Sequence, residues 1–194
     1  MILRLTFLLL IVTVVSLDTL DQGDLFEKLV PGFKAKFITR QNKLLENFTP
    51  QQRNKLMIIA RSNKTDVAKV QEAMEDPQVL NTLLQSARDI LRENKVSEGL
   101  VELMTEIMRQ GLLHANVNDM TTRQAAQVAV EVVPKWVVKY RQLNPEEKFR
   151  LKSVDAKLVE ILENPIWLVE GLVVRQRRAA SEELVLKYLH YFPY

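Results

Sequence analysis

Apolar residues that recur at intervals of three and four, with almost nothing recurring at two, restrict this chain to helices. Val79, Leu80, Leu83, Leu84, Ala87, Ile90 and Leu91 form one stripe; Leu100, Leu103, Met104, Ile107, Met108 and Leu112 form a second. Such spacing puts side chains on one face of an α-helix, the face that has to be buried. The opposite sides carry Arg88, Asp89, Arg92, Glu102, Glu106 and Arg109. From Asp24 onward no segment carries a strand pattern, and the prolines fall mostly where helices should begin.

Local signals place several helix ends. Thr49-Pro50-Gln51-Gln52 predicts a start: the Thr49 oxygen can accept the free N–H of Gln52, Gln52 can reach back, and Pro50 sits where no N–H is missed. Leu56, Ile59 and Ala60 give that helix its apolar side. Asn144-Pro145-Glu146-Glu147 repeats the arrangement, with two acids at the positive helix end. Other helices are expected from Phe33 to about Glu46, from Asp66 to Glu75 with a stop at Asp76-Pro77, and after a cap at Ser97.

Two stretches differ. Residues 125–138 and Ile166 to Val174 are apolar around most of a helical circumference, so both are expected to run through the middle of the domain. Pro134 should bend the first or split it, because it removes a hydrogen bond and crowds the preceding turn. After the second come Arg175, Arg177 and Arg178, then an amphipathic piece from Ser181 to Tyr188. Helices broken in this way pack irregularly, and a cavity is one consequence.

The first residues bear on the compartment. Met1 to Arg4 is a short positive start, Leu5 to Val15 is free of charge, and Val14 and Ser16 suit the −3 and −1 positions of a signal-peptidase site. This is the layout of a secretory signal peptide over 1–16, leaving 17–194 as one domain. The apolar run is too short to cross about 30 Å of hydrocarbon comfortably. Removal takes Arg4, lowering a formal charge of +3 by one. That small charge, with basic positions such as Lys34, Lys36, Arg40 and Lys43 alternating with apolar ones, argues against nucleic acid. Without cysteine an exported chain must be held by packing alone, and thiolate zinc sites are excluded.

Few side chains have a pattern that calls for chemistry rather than a plainer role. His114 has no nucleophile or paired acid at a diagnostic spacing and reads as a helix-terminal surface histidine. No catalytic residue, metal ligand or cofactor motif is expected, and an enzyme is the poorer reading. The methyl-rich excess is the main clue: Val128, Val132, Val133, Trp136, Val137, Trp167, Leu168 and Leu172, with Met104 and Met108, either fill a solid core or line a ligand cavity. Lys135, Lys139 and Arg175 either meet a fatty carboxylate or belong to solvated surface. Asn63 and Asn47 fit the glycosylation rule; Asn63 is the better acceptor, because Asn47 precedes a capping threonine and Pro50.

Leu29-Val30-Pro31-Gly32-Phe33-Lys34-Ala35-Lys36-Phe37, Leu45 through Leu56, and Lys139-Tyr140-Arg141-Gln142-Leu143-Asn144-Pro145-Glu146-Glu147-Lys148-Phe149-Arg150-Leu151-Lys152 follow one another in an order that resembles the nematode fatty-acid- and retinol-binding (FAR) proteins. The likeness spans about 25–165. It implies an exported, cysteine-free, all-helical fold whose internal apolar cavity takes long-chain fatty acids and retinol. Family members often carry an acidic phosphorylation motif after the first Thr-Pro; Gln51 and Gln52 replace those acids here. The tail, with Gly171 and the arginines, also departs from the pattern.

The expectation is therefore an all-α, irregular multi-helix single domain with an internal apolar cavity, following a signal peptide. Its function would be secreted, non-catalytic lipid-binding and transport. The alternatives are a secreted helical protein-interaction module with a solid core, and a membrane-active amphipathic helical protein; transient membrane contact is compatible with either carriage or the latter.

Overall fold

The computed structural model describes residues 22–44, 48–114 and 121–167. The leader, Asn47, Leu168, Leu172 and Arg175 lie outside the described residues. Among those described there are nine α-helices, one 3-10 turn and no strand: α1 Gln22–Leu29, α2 Phe33–Leu44, α3 Pro50–Arg61, α4 Asp66–Met74, α5 Pro77–Glu93, α6 Glu98–Leu113, α7 Thr122–Gln142, α8 Pro145–Val154, α9 Ala156–Leu162, and the turn Pro165–Trp167. They form an irregular all-helical domain around one apolar cluster that runs from Leu25 to Trp167.

Capping chemistry sets the boundaries. At α3 the Thr49 hydroxyl accepts the Gln52 N–H (3.2 Å) and the Thr49 N–H donates to the Gln52 side chain (2.9 Å), the expected reciprocal box. Gln52 goes further: its amide donates to Gln78 Oε1 at 2.7 Å, tying the start of α3 to the start of α5. Asn144 and Glu147 close the same box at α8 (2.9 Å each way). A third box, Thr121 with Gln124 at α7, was not expected. Ser97 occupies the N-cap of α6 but makes no capping bond.

The α1–α2 turn explains Leu29 to Phe37. Gly32 has φ of +75°, backbone that a side chain would strain. The Glu27 carboxylate accepts the Gly32 N–H (2.8 Å) and the Lys34 N–H (2.7 Å), satisfying free donors at the head of α2. Phe26, Phe33 and Phe37 then stack in series, with ring centroids 4.7 and 5.8 Å apart.

The helix in the middle is α6. It packs against α4, α5, α7 and α8. Its two sides are both buried: Leu100, Leu103, Met104, Ile107, Met108 and Leu112 as expected, and also Val101, Thr105, Gln110 and Gly111. Helix α7 buries Ala125, Ala126, Ala129, Val132, Val133, Trp136, Val137 and Tyr140, a single stripe, while Gln127, Glu131, Lys135 and Val138 face out. The central position expected for 125–138 thus belongs to α6. Helix α7 also continues through Pro134 rather than dividing; Val132, Val133, Trp136 and Val137, buried on both sides of the proline, hold its two halves in one element. The other apolar stretch is described only at its start, where Pro165–Trp167 is a 3-10 turn against α7.

Two positions allow tests. Helix α5 ends in a Schellman arrangement: Val96 N–H donates to Leu91 O (3.0 Å) and Lys95 N–H to Arg92 O (2.9 Å), with Lys95 at φ of 58°. A β-carbon in that conformation costs about 1–2 kcal/mol, partly offset by the greater unfolded freedom of glycine. Lys95→Gly is expected to stabilise the protein by about 0.5–1 kcal/mol in urea unfolding. At Gly99 an added β-carbon would lie 2.8 Å from both Glu147 Oε1 and Leu143 Cδ2. Leu143 is buried and the Glu147 carboxylate is fixed in the α8 cap, so neither yields freely. Gly99→Ala should lower stability by about 1 kcal/mol, the worth of the cap. In a Glu147→Ala background the same change should cost clearly less, a non-additivity that a double-mutant cycle of melting curves measures.

Candidate functional site

Helices α6 and α7, which pack on each other along one seam, carry most of the side chains proposed for a cargo site. Met104 and Met108 come from α6, Val132, Val133, Trp136 and Val137 from α7, and Trp167 from the turn that packs on α7. All seven are buried members of the one apolar cluster, and Val128 packs half-buried at its margin. The methionines among them are unbranched and adapt their shape to what surrounds them.

The proposed head-group lysines are placed otherwise. Lys135 is exposed, and its ammonium lies 3.4 Å from Gln110 Oε1; Gln110 in turn donates to Glu106 Oε1 at 2.6 Å. Lys139 pairs with Glu102 at 3.3 Å, and Arg88 of α5 approaches the same carboxylate at 3.9 Å. Both lysines therefore tie α7 to the polar flank of α6. Because these groups remain partly solvated, each pair contributes about 0–1 kcal/mol, enough to set register rather than to hold the fold.

At the far end of α7, Tyr140 donates to Glu163 Oε1 at 2.5 Å, and the Lys148 ammonium lies 5.2 Å from the Tyr140 ring centre. Burial, reinforced by the Glu163 carboxylate, pushes the phenol well above its usual range. The ring fastens α7, α8 and the segment after α9 together, and its phenol stays protonated near neutrality.

Open clefts lie elsewhere, between α2 and α5. One of about 550 Å³ is bounded by Arg40 and Leu44 on α2 and by Gln78, Asn81, Thr82, Gln85, Ser86, Arg88 and Asp89 on α5. A second, of about 610 Å³, lies against Lys36, Thr39, Glu93 and Asn94. Arg40, paired with Glu93, borders both. Amide and charged groups border both clefts, while apolar atoms contribute most of their exposed wall. Nothing in the helical stripes announced these clefts, because they arise where two polar flanks meet.

The sequon at Asn63 lies in the exposed bend between α3 and α4. Its threonine, Thr65, caps α4 by accepting the Ala68 N–H at 3.3 Å. Thr49, the threonine of the other sequon, caps α3 in the same manner, so capping does not separate the two acceptors.

His114 caps the end of α6, its N–H donating to Gln110 O at 3.0 Å. Half-burial lowers its pKa from the ordinary 6.5, the Lys135 charge lowers it further, and Glu131 opposes both. The folded state thus favours neutral imidazole, whereas the unfolded chain takes a proton at the ordinary value. Stability contributed here is present above pH 6.5 and is lost as pH falls through the lowered folded value. His114→Gln should flatten that decline below pH 6.5, read from urea midpoints across the pH series; an unchanged slope would remove the role. The Glu98 carboxylate, held low chiefly by its hydrogen bond to Arg92, acts only in the acid range below 4.5.

Among the described residues no cluster of three His, Asp or Glu side chains is arranged to hold a metal. None of the described helices is long and apolar enough to cross a membrane. Compared with protein-family models, curated proteins and solved structures, the chain matches none of them.

Proposed function

We propose that this protein is an exported, non-catalytic carrier of an apolar small molecule of the fatty acid or retinol type, which it shelters between α6 and α7. The observation that carries this reading is the seam itself. Seven of the residues proposed for cargo fall in one continuous apolar region, and two of them are methionines, whose unbranched side chains accommodate a guest by changing rotamer. A guest inserted there trades side-chain contacts for its own methylenes. Burial is worth about 0.8 kcal/mol for each CH₂, so a chain of fifteen methylenes supplies on the order of 12 kcal/mol gross. Immobilising the guest and repacking the seam consume part of this. The resemblance to the FAR proteins and the leader-like layout of residues 1–16 support the same reading.

A solid-core module that binds another protein through its surface is the competing reading, and Phe149 favours it. That side chain is 75% exposed on α8 beside exposed Arg150 and Lys152. Single exposed aromatics occur on many surfaces, however, and the other exposed large apolar side chains, Ile58, Leu113 and Val138, come from three different helices.

Titration of the delipidated 17–194 chain with a fluorescent fatty acid and with retinol should give saturable binding, and mass spectrometry of the protein as purified should recover bound lipid. Met104→Ala combined with Met108→Ala should change affinity at least several-fold. Absence of saturation with both ligands, together with no recovered lipid, would end the carrier reading.

A further inference from the structure

Two buried hydrogen-bond donors of the apolar cluster are without acceptors among the described residues. Trp136 is 6% exposed and Trp167 9% exposed, and neither indole Nε1–H has a partner among the described residues. They come from adjoining elements, since the Pro165–Trp167 turn packs on α7. Three other buried polar atoms are also unpaired, but their chemistry leaves them alternatives. Ser86 and Ser97 carry hydroxyls that rotate, and a helical serine can turn to the carbonyl four residues back. Arg88 retains its other guanidinium N–H groups and the nearby Glu102 carboxylate. An indole has one donor, fixed in the plane of its ring, and no rotor to redirect it. An isolated donor of this type in an apolar interior calls for an oxygen.

We infer that the indole N–H groups of Trp136 and Trp167 receive the polar end of the cargo and make this protein select an apolar molecule with a neutral oxygen head over both a bare hydrocarbon and an ionised carboxylate. The inference rests on the carrier reading and adds to it the atoms that sort one guest from another. Lys135 and Lys139, the lysines of α7, are committed to Gln110 and Glu102 on the polar flank. Among the described residues, a carboxylate brought to the two indoles would be met by neutral donors, which do not repay the loss of its hydration. A hydroxyl oxygen loses far less on leaving water and gains the bond that the indole lacks.

These are the two tryptophans of the chain, so biosynthetic replacement of tryptophan by benzothienylalanine removes both N–H groups while retaining the bicyclic shape. Oleyl alcohol, oleate and 1-octadecene would be compared, on the normal and the substituted full chain, by displacement of a fluorescent lipid probe. The normal protein is expected to bind the alcohol about three- to tenfold more tightly than the alkene for each bond formed, and more tightly than oleate at neutral pH. The substituted protein should bind alcohol and alkene alike, with its affinity for the alkene unchanged. Its melting temperature without ligand should also be unchanged, because the lost donors had no partner. Trp136→Phe and Trp167→Phe, tested singly, would divide the discrimination between the two rings.

An alcohol preference that survives the substitution, or a normal protein with no such preference, would overturn the inference while leaving carriage intact. A fall in ligand-free stability on substitution would overturn it too, by revealing that the N–H groups are already bonded within the protein. A normal protein that binds none of the three molecules would overturn the carrier reading itself.

Discussion

Burying α6 on both of its sides is the constraint from which the remaining architecture follows. A helix packed against α4, α5, α7 and α8 leaves only one flank to water, so the polar side chains it carries away from that flank must find partners nearby. Thr105 turns its hydroxyl back to Val101 O at 2.7 Å, and Gln110 is held between Glu106 and Lys135. Where α6 begins, Gly99 lets Leu143 and the cap of α8 approach to a distance that a methyl group would block. Where it ends, His114 is favoured as the neutral imidazole. Each is a local solution to a demand set by surrounding one helix with four.

Much of this was legible beforehand, and the reason is that capping and amphipathic spacing are local. Thr49 to Gln52 and Asn144 to Glu147 form reciprocal boxes whose atoms lie within four residues of each other. The stripes of α5 and α6 are buried where their spacing predicted. Helix α1 was missed because eight residues offer barely two turns of pattern. The break between α8 and α9 carries no proline or glycine to mark it; its signal is Asp155, the N-cap of α9, which accepts the Leu158 N–H at 2.9 Å and by type alone resembles any helix charge.

Which helix is central could not be read from apolarity, and α6 and α7 show why. Helix α7 is rich in valine, yet Val138 is 55% exposed and Val128 and Val130 are only half-buried. Helix α6 carries Thr105, Gln110 and Gly111 on its second buried side, residues that look like a polar face when counted by type. Burial depends on how many neighbours surround a helix, and those neighbours arrive from Asp66 at one end of the sequence to Val154 at the other. Periodicity reports one face at a time and is silent about the second.

The same distinction separates the candidate cargo residues from the candidate head-group residues. The apolar members were identified by a property they keep anywhere, avoidance of water, and the seam collects them. The lysines were selected for charge, whose consequence depends on what stands opposite. Opposite Lys139 stands Glu102, and opposite Lys135 stands Gln110. Both lysines therefore help set how α7 lies on α6, and among the described residues the buried side chains of the two helices carry no charge. If a guest is held there, discrimination comes from shape and from neutral donors. The indoles are donors of that kind, and they sit within the apolar surface that would hold the tail.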